Sequence, residues 1–115
     1  MRRGDVYRAE LRPRSGSEQR GRRPVIVVSH DAFNRTETWR SIIVVPLSTS
    51  SRQAARGPTA VRLKKGSGGL AHDSVVLCHQ VTTLDRAKLK KKLGALTTHE
   101  LDLVERGLKA SLDMD

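Results

Sequence analysis

Two apolar runs, Val25-Ile26-Val27-Val28 and Ile42-Ile43-Val44-Val45-Pro46-Leu47, constrain this chain more than anything else in it. Each is short, continuous and rich in β-branched residues, so each reads as a strand buried on both faces. Pro46 brings no N–H to a ladder, and a bend or an edge is expected where it stands. Strands of this kind need neighbours. Residues 6–11 supply one, with Tyr7, Ala9 and Leu11 alternating against Arg8 and Glu10 in the period-two pattern of a half-buried strand.

Further strands are expected at 59–63, 74–81 and 91–96. Between the two apolar runs, 30–40 is polar apart from Phe33 and Trp39 and reads as a long connection with one helical turn. Asp85 is placed to cap a single turn over 86–89. Thr97-Thr98-His99-Glu100 has the form of a capping box, and Leu101, Val104, Leu108 and Leu112 follow at helical spacing. Gly107 weakens that helix only modestly. About five to seven short strands and one C-terminal amphipathic helix predict a mainly β fold, a small barrel half closed by the helix. With no internal repeat and no long linker, 1–115 reads as one domain.

The charge balance, 22 Lys+Arg against 12 Asp+Glu for a net +10, points to a polyanionic partner and above all to nucleic acid. All seven lysines lie at Lys64 or beyond, so the basic residues of the first half are arginines. Their planar fork matches phosphate and stacks on bases, which makes the first half the recognition half. Cys78 is the only cysteine, so no intrachain disulfide forms, and its apolar surroundings mark a buried structural thiol. No apolar run approaches the ~18 residues of a membrane span, and the first residues carry no secretory apolar stretch, so a cytoplasmic location is expected.

The loop preceding the first buried strand, Gly16-Ser17-Glu18-Gln19-Arg20-Gly21-Arg22-Arg23-Pro24, gathers three arginines, a carboxylate and an amide between glycines. Loops anchored on a rigid strand are where binding and reacting groups concentrate. Arg22-Arg23 stand at the entry to one buried strand and Ser48-Thr49 at the exit of the other. If the two strands are antiparallel neighbours, both pairs reach the same end of the sheet. A guanidinium beside a hydroxyl grips a phosphate and stabilises charge that builds on it. On composition alone, a solvated arginine cluster beside a Ser/Thr-rich turn is slightly favoured. A mobile basic stretch, 52–58, with Arg52 and Arg56, is placed to gate or read a bound strand. No metal or nucleotide motif is present and the four histidines are scattered, so no cofactor and no metal are expected. Stacking on bases has to come from arginine planes together with Phe33, Trp39 and Tyr7, although Tyr7 and Trp39 read first as core residues.

Arg3-Gly4-Asp5-Val6-Tyr7, Pro13, Gly16-Ser17-Glu18-Gln19, Gly21, Arg23-Pro24-Val25, Asn34, Val45-Pro46-Leu47-Ser48-Thr49 and Asp73-Ser74-Val75 together resemble the MazF/PemK toxins, the ribonuclease halves of type II toxin–antitoxin pairs. The resemblance runs from Arg3 to about Leu112. It implies an SH3-like barrel with a C-terminal helix, a homodimer, an acidic cognate antitoxin, and metal-independent cleavage of single-stranded RNA at a short sequence. By similarity the catalytic arginine falls on Arg23 and the catalytic hydroxyl on Ser48, with Thr49 beside it. Glu18 and Gln19 match the loop glutamate and glutamine, and Gln80 the glutamine after the Asp-Ser-Val strand. Two departures stand out: serine at 48 where threonine is usual, and His79 where many relatives carry glutamate, which bears on base preference.

The chemistry fits. The ribose 2′-OH attacks the adjacent phosphate, so the protein has to stabilise charge rather than supply a nucleophile, and the products carry 2′,3′-cyclic phosphate and 5′-OH ends. Arg23 would neutralise the phosphorane and Ser48 or Thr49 would hydrogen-bond it. Arginine is a poor general base, which leaves Glu18 as the candidate. Gln19, Arg20, Arg22, Arg52, Arg56, His79 and Gln80 are the candidate RNA contacts. Two other readings remain: a non-catalytic RNA-binding barrel, and a same-fold toxin that inhibits a protein such as gyrase. The second is disfavoured by a C-terminal tail without tryptophan.

Overall fold

A computed structural model describes residues 1–11 and 21–114. Among them, β1 (Asp5–Leu11), β2 (Gly21–Val27), β3 (Ser41–Ser48), β4 (Ala60–Leu63), β5 (Ser74–Leu77), β6 (Thr82–Asp85) and β7 (Leu89–Ala95) form one seven-stranded sheet. The order is β4-β5-β3-β2-β1-β7, with β6 also on β3, and every pairing is antiparallel. A single turn, α1 (Asp31–Asn34), interrupts the β2–β3 connection, and α2 (Thr98–Leu112) ends the fold. The capping box is formed: the Thr97 hydroxyl accepts the Glu100 N–H at 3.1 Å and the Glu100 carboxylate accepts the Thr97 N–H at 2.8 Å.

The β-branched runs are buried on both faces because the sheet carries a core on each side. Ile26 pairs with Val45, and both join Val6, Leu47, Val76, Cys78 and Val104 in the core beneath α2. Val25, Val27, Ile42 and Val44 point the other way, to a second core with Ala9 and Leu11. Gly107 lets the helix approach closely. A Cβ there would meet the Cys78 sulfur at 2.5 Å and Val61 at 3.0 Å.

Pro46 lies in the most central strand, not at an edge. On one side it faces Val25. On the other, β6 pairs as far as Val44 and β5 begins at Leu47, so Val45 and Pro46 stand opposite the five residues 77–81. Three residues are thus left over, and Cys78–Gln80 loop out as a short 3-10 turn. The missing N–H of Pro46 falls where the ladder changes partner and costs no cross-strand bond. The strand expected at 74–81 therefore ends at Leu77, and after this turn a separate strand begins at Thr82. The basic stretch 52–58 lies within a 3-10 helix over Ser51–Thr59, broken at Gly57.

Several residues that carry the family resemblance hold the fold together. Gly4, at φ 95°, donates its N–H to Val27 at 2.7 Å and accepts the Leu96 N–H at 2.9 Å, tying β1 to β2 and to the end of β7. Arg3 donates its N–H to Asp31 at 2.7 Å and its side chain to the Val28 carbonyl at 3.0 Å, and it pairs with Glu105 on α2. Buried Asn34 donates to the Ser29 carbonyl at 2.7 Å and to Asp31 at 3.1 Å. Close by, Gly69 crosses β7 so closely that a Cβ would sit 2.0 Å from the Leu93 carbonyl oxygen.

Candidate active site

The two apolar runs are antiparallel neighbours, and their register brings the polar pairs to one end. Val25 faces Pro46. Two residues further along each strand are Arg23 and Ser48, on the same face by the period-two rule. Arg22 falls on the opposite face of β2, and Thr49 lies just beyond the last residue of β3. Arg23 is exposed at the strand mouth, whereas Ser48 is 7% exposed.

Ser48 is held by two contacts. Its backbone pairs with Val75 of β5, and its hydroxyl oxygen accepts the Ser50 N–H at 3.1 Å. The hydroxyl proton remains able to donate toward the side on which Arg23 stands. Thr49 is exposed and lies at the lip of two depressions. One, of about 570 Å³, is lined also by Lys65, Ala71, His72 and Asp73. The other, of about 330 Å³, runs past Ser51, Ala54, Arg62, Leu63 and Ser74. Of the two hydroxyls, Ser48 is therefore the one that shares a face with Arg23, and Thr49 looks toward basic side chains.

Across the other edge of β3, the looped-out turn presents His79 and Gln80 alongside Pro46, two residues short of Ser48. The strand position expected for His79 is corrected to this turn, which takes its backbone out of both ladders on β3. Partial burial, and then the charge of Arg56, hold the His79 imidazole below its usual pKa. Arg56 also donates to Gln53 at 2.6 Å within the 3-10 segment. Arg52 is exposed at the start of that segment. Arg22 stands 3.9 Å from Glu10 across the β1–β2 ladder. Glu18, Gln19 and Arg20 lie outside the described residues.

The described positions thus fall into two groups, Arg23 with Ser48 and Thr49, and Arg56 with His79 and Gln80, flanking the C-terminal end of β3 from opposite edges. Lys65 and His72 beside Thr49 carried no sequence signal of their own, because the turns that place them are set by tertiary pairing. Trp39, read first as a core residue, is 45% exposed and stacks on Phe33. Tyr7 is half-buried against the second core. Among the described residues no three His, Cys, Asp or Glu side chains converge as a metal site, and no helix is long and apolar enough to cross a membrane.

The sequence pattern of the PemK-like, MazF-like toxins of type II toxin–antitoxin systems matches residues 2–112. The chain belongs to the PemK/MazF toxin family. An endoribonuclease MazF of Staphylococcus saprophyticus is 39% identical over 114 residues, 99% of this chain and 92% of the relative. A mycobacterial endoribonuclease solved in complex with its cognate antitoxin superposes with a TM-score of 0.79 at 27% identity, covering 100% of this chain and 97% of that one. The MazF of Deinococcus radiodurans superposes at 0.78 and 27% identity, over 99% and 97% of the two chains. The barrel-and-helix architecture anticipated from the sequence is that of these MazF structures.

Proposed function

We propose that this chain is the toxin of a type II toxin–antitoxin pair, an endoribonuclease that cuts single-stranded RNA without a metal ion. The observation that carries the reading is the placement of Arg23 and Ser48 on one sheet face at the adjoining ends of β2 and β3. The full-length likeness to an endoribonuclease MazF supports it.

In this reading the RNA backbone crosses the end of β3. The substrate's own 2′-OH attacks the neighbouring phosphorus, the P–O5′ bond breaks, and the departing 5′ oxygen takes a proton from water to leave as 5′-OH. Arg23 stabilises the extra negative charge on the phosphorane, and the Ser48 hydroxyl donates to a non-bridging oxygen. A preorganised donor of this kind typically contributes about 100- to 1,000-fold in rate. Glu18 accepts the 2′ proton as the attack proceeds. Thr49, Lys65 and His72 face the strand on one side of the scissile phosphate, while Arg56, His79 and Gln80 read bases on the other. Gln19, Arg20, Arg22 and Arg52 add contacts along the backbone.

We read the whole chain as one toxin domain that acts in the cytoplasm as a homodimer. Its inhibitor is an acidic antitoxin, whose carboxylates compete with RNA for the same guanidiniums. The deciding experiment is cleavage of a long single-stranded RNA in excess EDTA, wild type beside Arg23→Ala. Cyclic-phosphate ends from wild type and a loss of at least ~100-fold in the variant support the reading. Intact RNA from both proteins, with binding retained, turns it into a non-catalytic RNA-binding barrel.

A further inference from the structure

The connection between β2 and β3 carries two of the chain's three Phe, Tyr and Trp residues, and the mechanism above uses neither. Phe33 and Trp39 stack with ring centroids 4.7 Å apart and planes inclined by 23°, while 44% and 45% of their surfaces face solvent. Burying such rings is worth several kcal/mol in a core, so leaving two of them outside calls for a cause.

The pair is held stiffly. The Trp39 indole donates to the Ser41 carbonyl at 2.7 Å. From beyond β6, the Arg86 guanidinium donates to the carbonyls of Trp39, Phe33 and Thr36 at 3.0, 3.1 and 3.0 Å, and the Arg86 N–H binds the Arg40 carbonyl at 2.7 Å. One arginine thus spends its donors on fixing the backbone beneath two exposed rings.

The surroundings narrow the choice of occupant. Ala32, Arg35, Thr36, Glu37, Thr38 and Arg40 around the rings are exposed, and all but Ala32 are polar. Two rings in a polar rim are far smaller than the ~800 Å² per partner of a stable protein interface. They match one or two nucleobases. Arg35 makes no ion pair among the described residues, whereas Arg40 is paired with Asp85 at 2.9 Å. A rigid aromatic face beside an uncommitted guanidinium, on a chain of net +10, is the combination that binds single strands with little regard to sequence.

We propose that the Phe33–Trp39 pair is a second RNA-contact surface, on which a base of the substrate stacks while Arg35 meets its phosphate. The inference rests on the ribonuclease reading. β3 spans the seven steps from Ser41 to Ser48, so the rings lie about 23 Å from the cleavage end. They therefore act on RNA that extends beyond the cleaved sequence, favouring long strands over short ones.

Trp39 is the only tryptophan, so its emission reports on this surface alone. The probe is a 20-nucleotide 2′-O-methyl oligoadenylate, which lacks the attacking hydroxyl and stays intact, labelled for anisotropy. Saturable quenching of Trp39 with the same midpoint as the anisotropy change is expected. Trp39→Ala should weaken binding by about tenfold, the low end for one base–aromatic stack, and Trp39→Phe should restore most of it. On cleavable RNA, Trp39→Ala should raise KM for long strands with kcat unchanged, and leave a substrate of only the cleaved sequence unaffected. Full anisotropy change without quenching overturns the proposal while leaving the ribonuclease reading intact. Trp39 emission that varies with protein concentration and not with RNA also overturns it, placing the rings between protein copies. Absence of both binding and cleavage would remove the ribonuclease reading itself.

Discussion

Arg23 and Ser48 stand on one face of the sheet, each two residues beyond the cross-strand pair of Val25 and Pro46. That relationship separates two adjacent hydroxyls that the chain alone does not rank. Ser48→Ala should reduce kcat for RNA cleavage by about 100-fold or more, and Thr49→Ala should act mainly on KM. Ser48→Thr keeps the hydroxyl and should retain most of the activity. Arg23→Lys should not, because a point charge cannot replace a planar fork. If Thr49→Ala proves the more damaging for kcat, the reacting phosphate lies beyond the end of β3.

Gly107 and Cys78 set the distance between α2 and the sheet. Alanine is ordinarily the better helix former, by about 1 kcal/mol. Here Gly107→Ala should instead lower Tm, since the new methyl group meets the buried sulfur at 2.5 Å. Adding Cys78→Ala should recover part of the loss, a coupling readable in a double-mutant cycle.

The Cys78 thiol is wholly buried and its sulfur lies 3.8 Å from the Val104 carbonyl, to which it donates. Burial pushes its pKa up to about 11. The native protein should therefore resist alkylation by iodoacetamide at pH 8, and denaturant should make the single thiol fully reactive.

Asp31 gives the fold an acid limit. The Arg3 N–H, and then the Asn34 side chain, lower its carboxyl pKa from the usual carboxylate range. A lowered folded-state pKa means that the unfolded chain takes up the proton first. The stabilisation is thus complete above about pH 4 and lost as the pH falls through the folded value. Asp31→Asn should lower Tm at neutral pH and leave the acid end little changed, so that the acid side of a Tm-against-pH curve flattens.

Gly94 is threaded against the Gly68–Gly69 turn, and a Cβ on it would lie 2.7 Å from Gly68 backbone atoms. Backbone cannot swing aside as a side chain can. Gly94→Ala should cost at least ~2 kcal/mol, with a Tm fall of roughly 8 °C or more.

Much of this was legible in the chain because local pattern and tertiary role agree. The β-branched runs are buried strands, the capping box starts α2 where its residues say, and the polar pairs at 22–23 and 48–49 meet because the two runs are neighbours. The failures share another cause. Residues 78–80 have strand-like flanks, yet they loop out because β5 and β6 take different registers on β3. That is a long-range fact with no local signature. Trp39 looks like core by type, and the Arg86 clamp, contributed from nearly fifty positions away, helps to hold it outside. Pro46 is tolerated at the centre of the sheet for the same nonlocal reason as the turn beside it.

The turn at Cys78–Gln80 belongs to neither of the ladders it joins. Cys78 anchors it in the core, and its outward residues are therefore free to vary without shifting any strand against its neighbour. In engineering terms it is an interchangeable head on a fixed handle. His79 and Gln80 can be exchanged for other side chains while Arg23, Ser48 and the strands that carry them stay where they are.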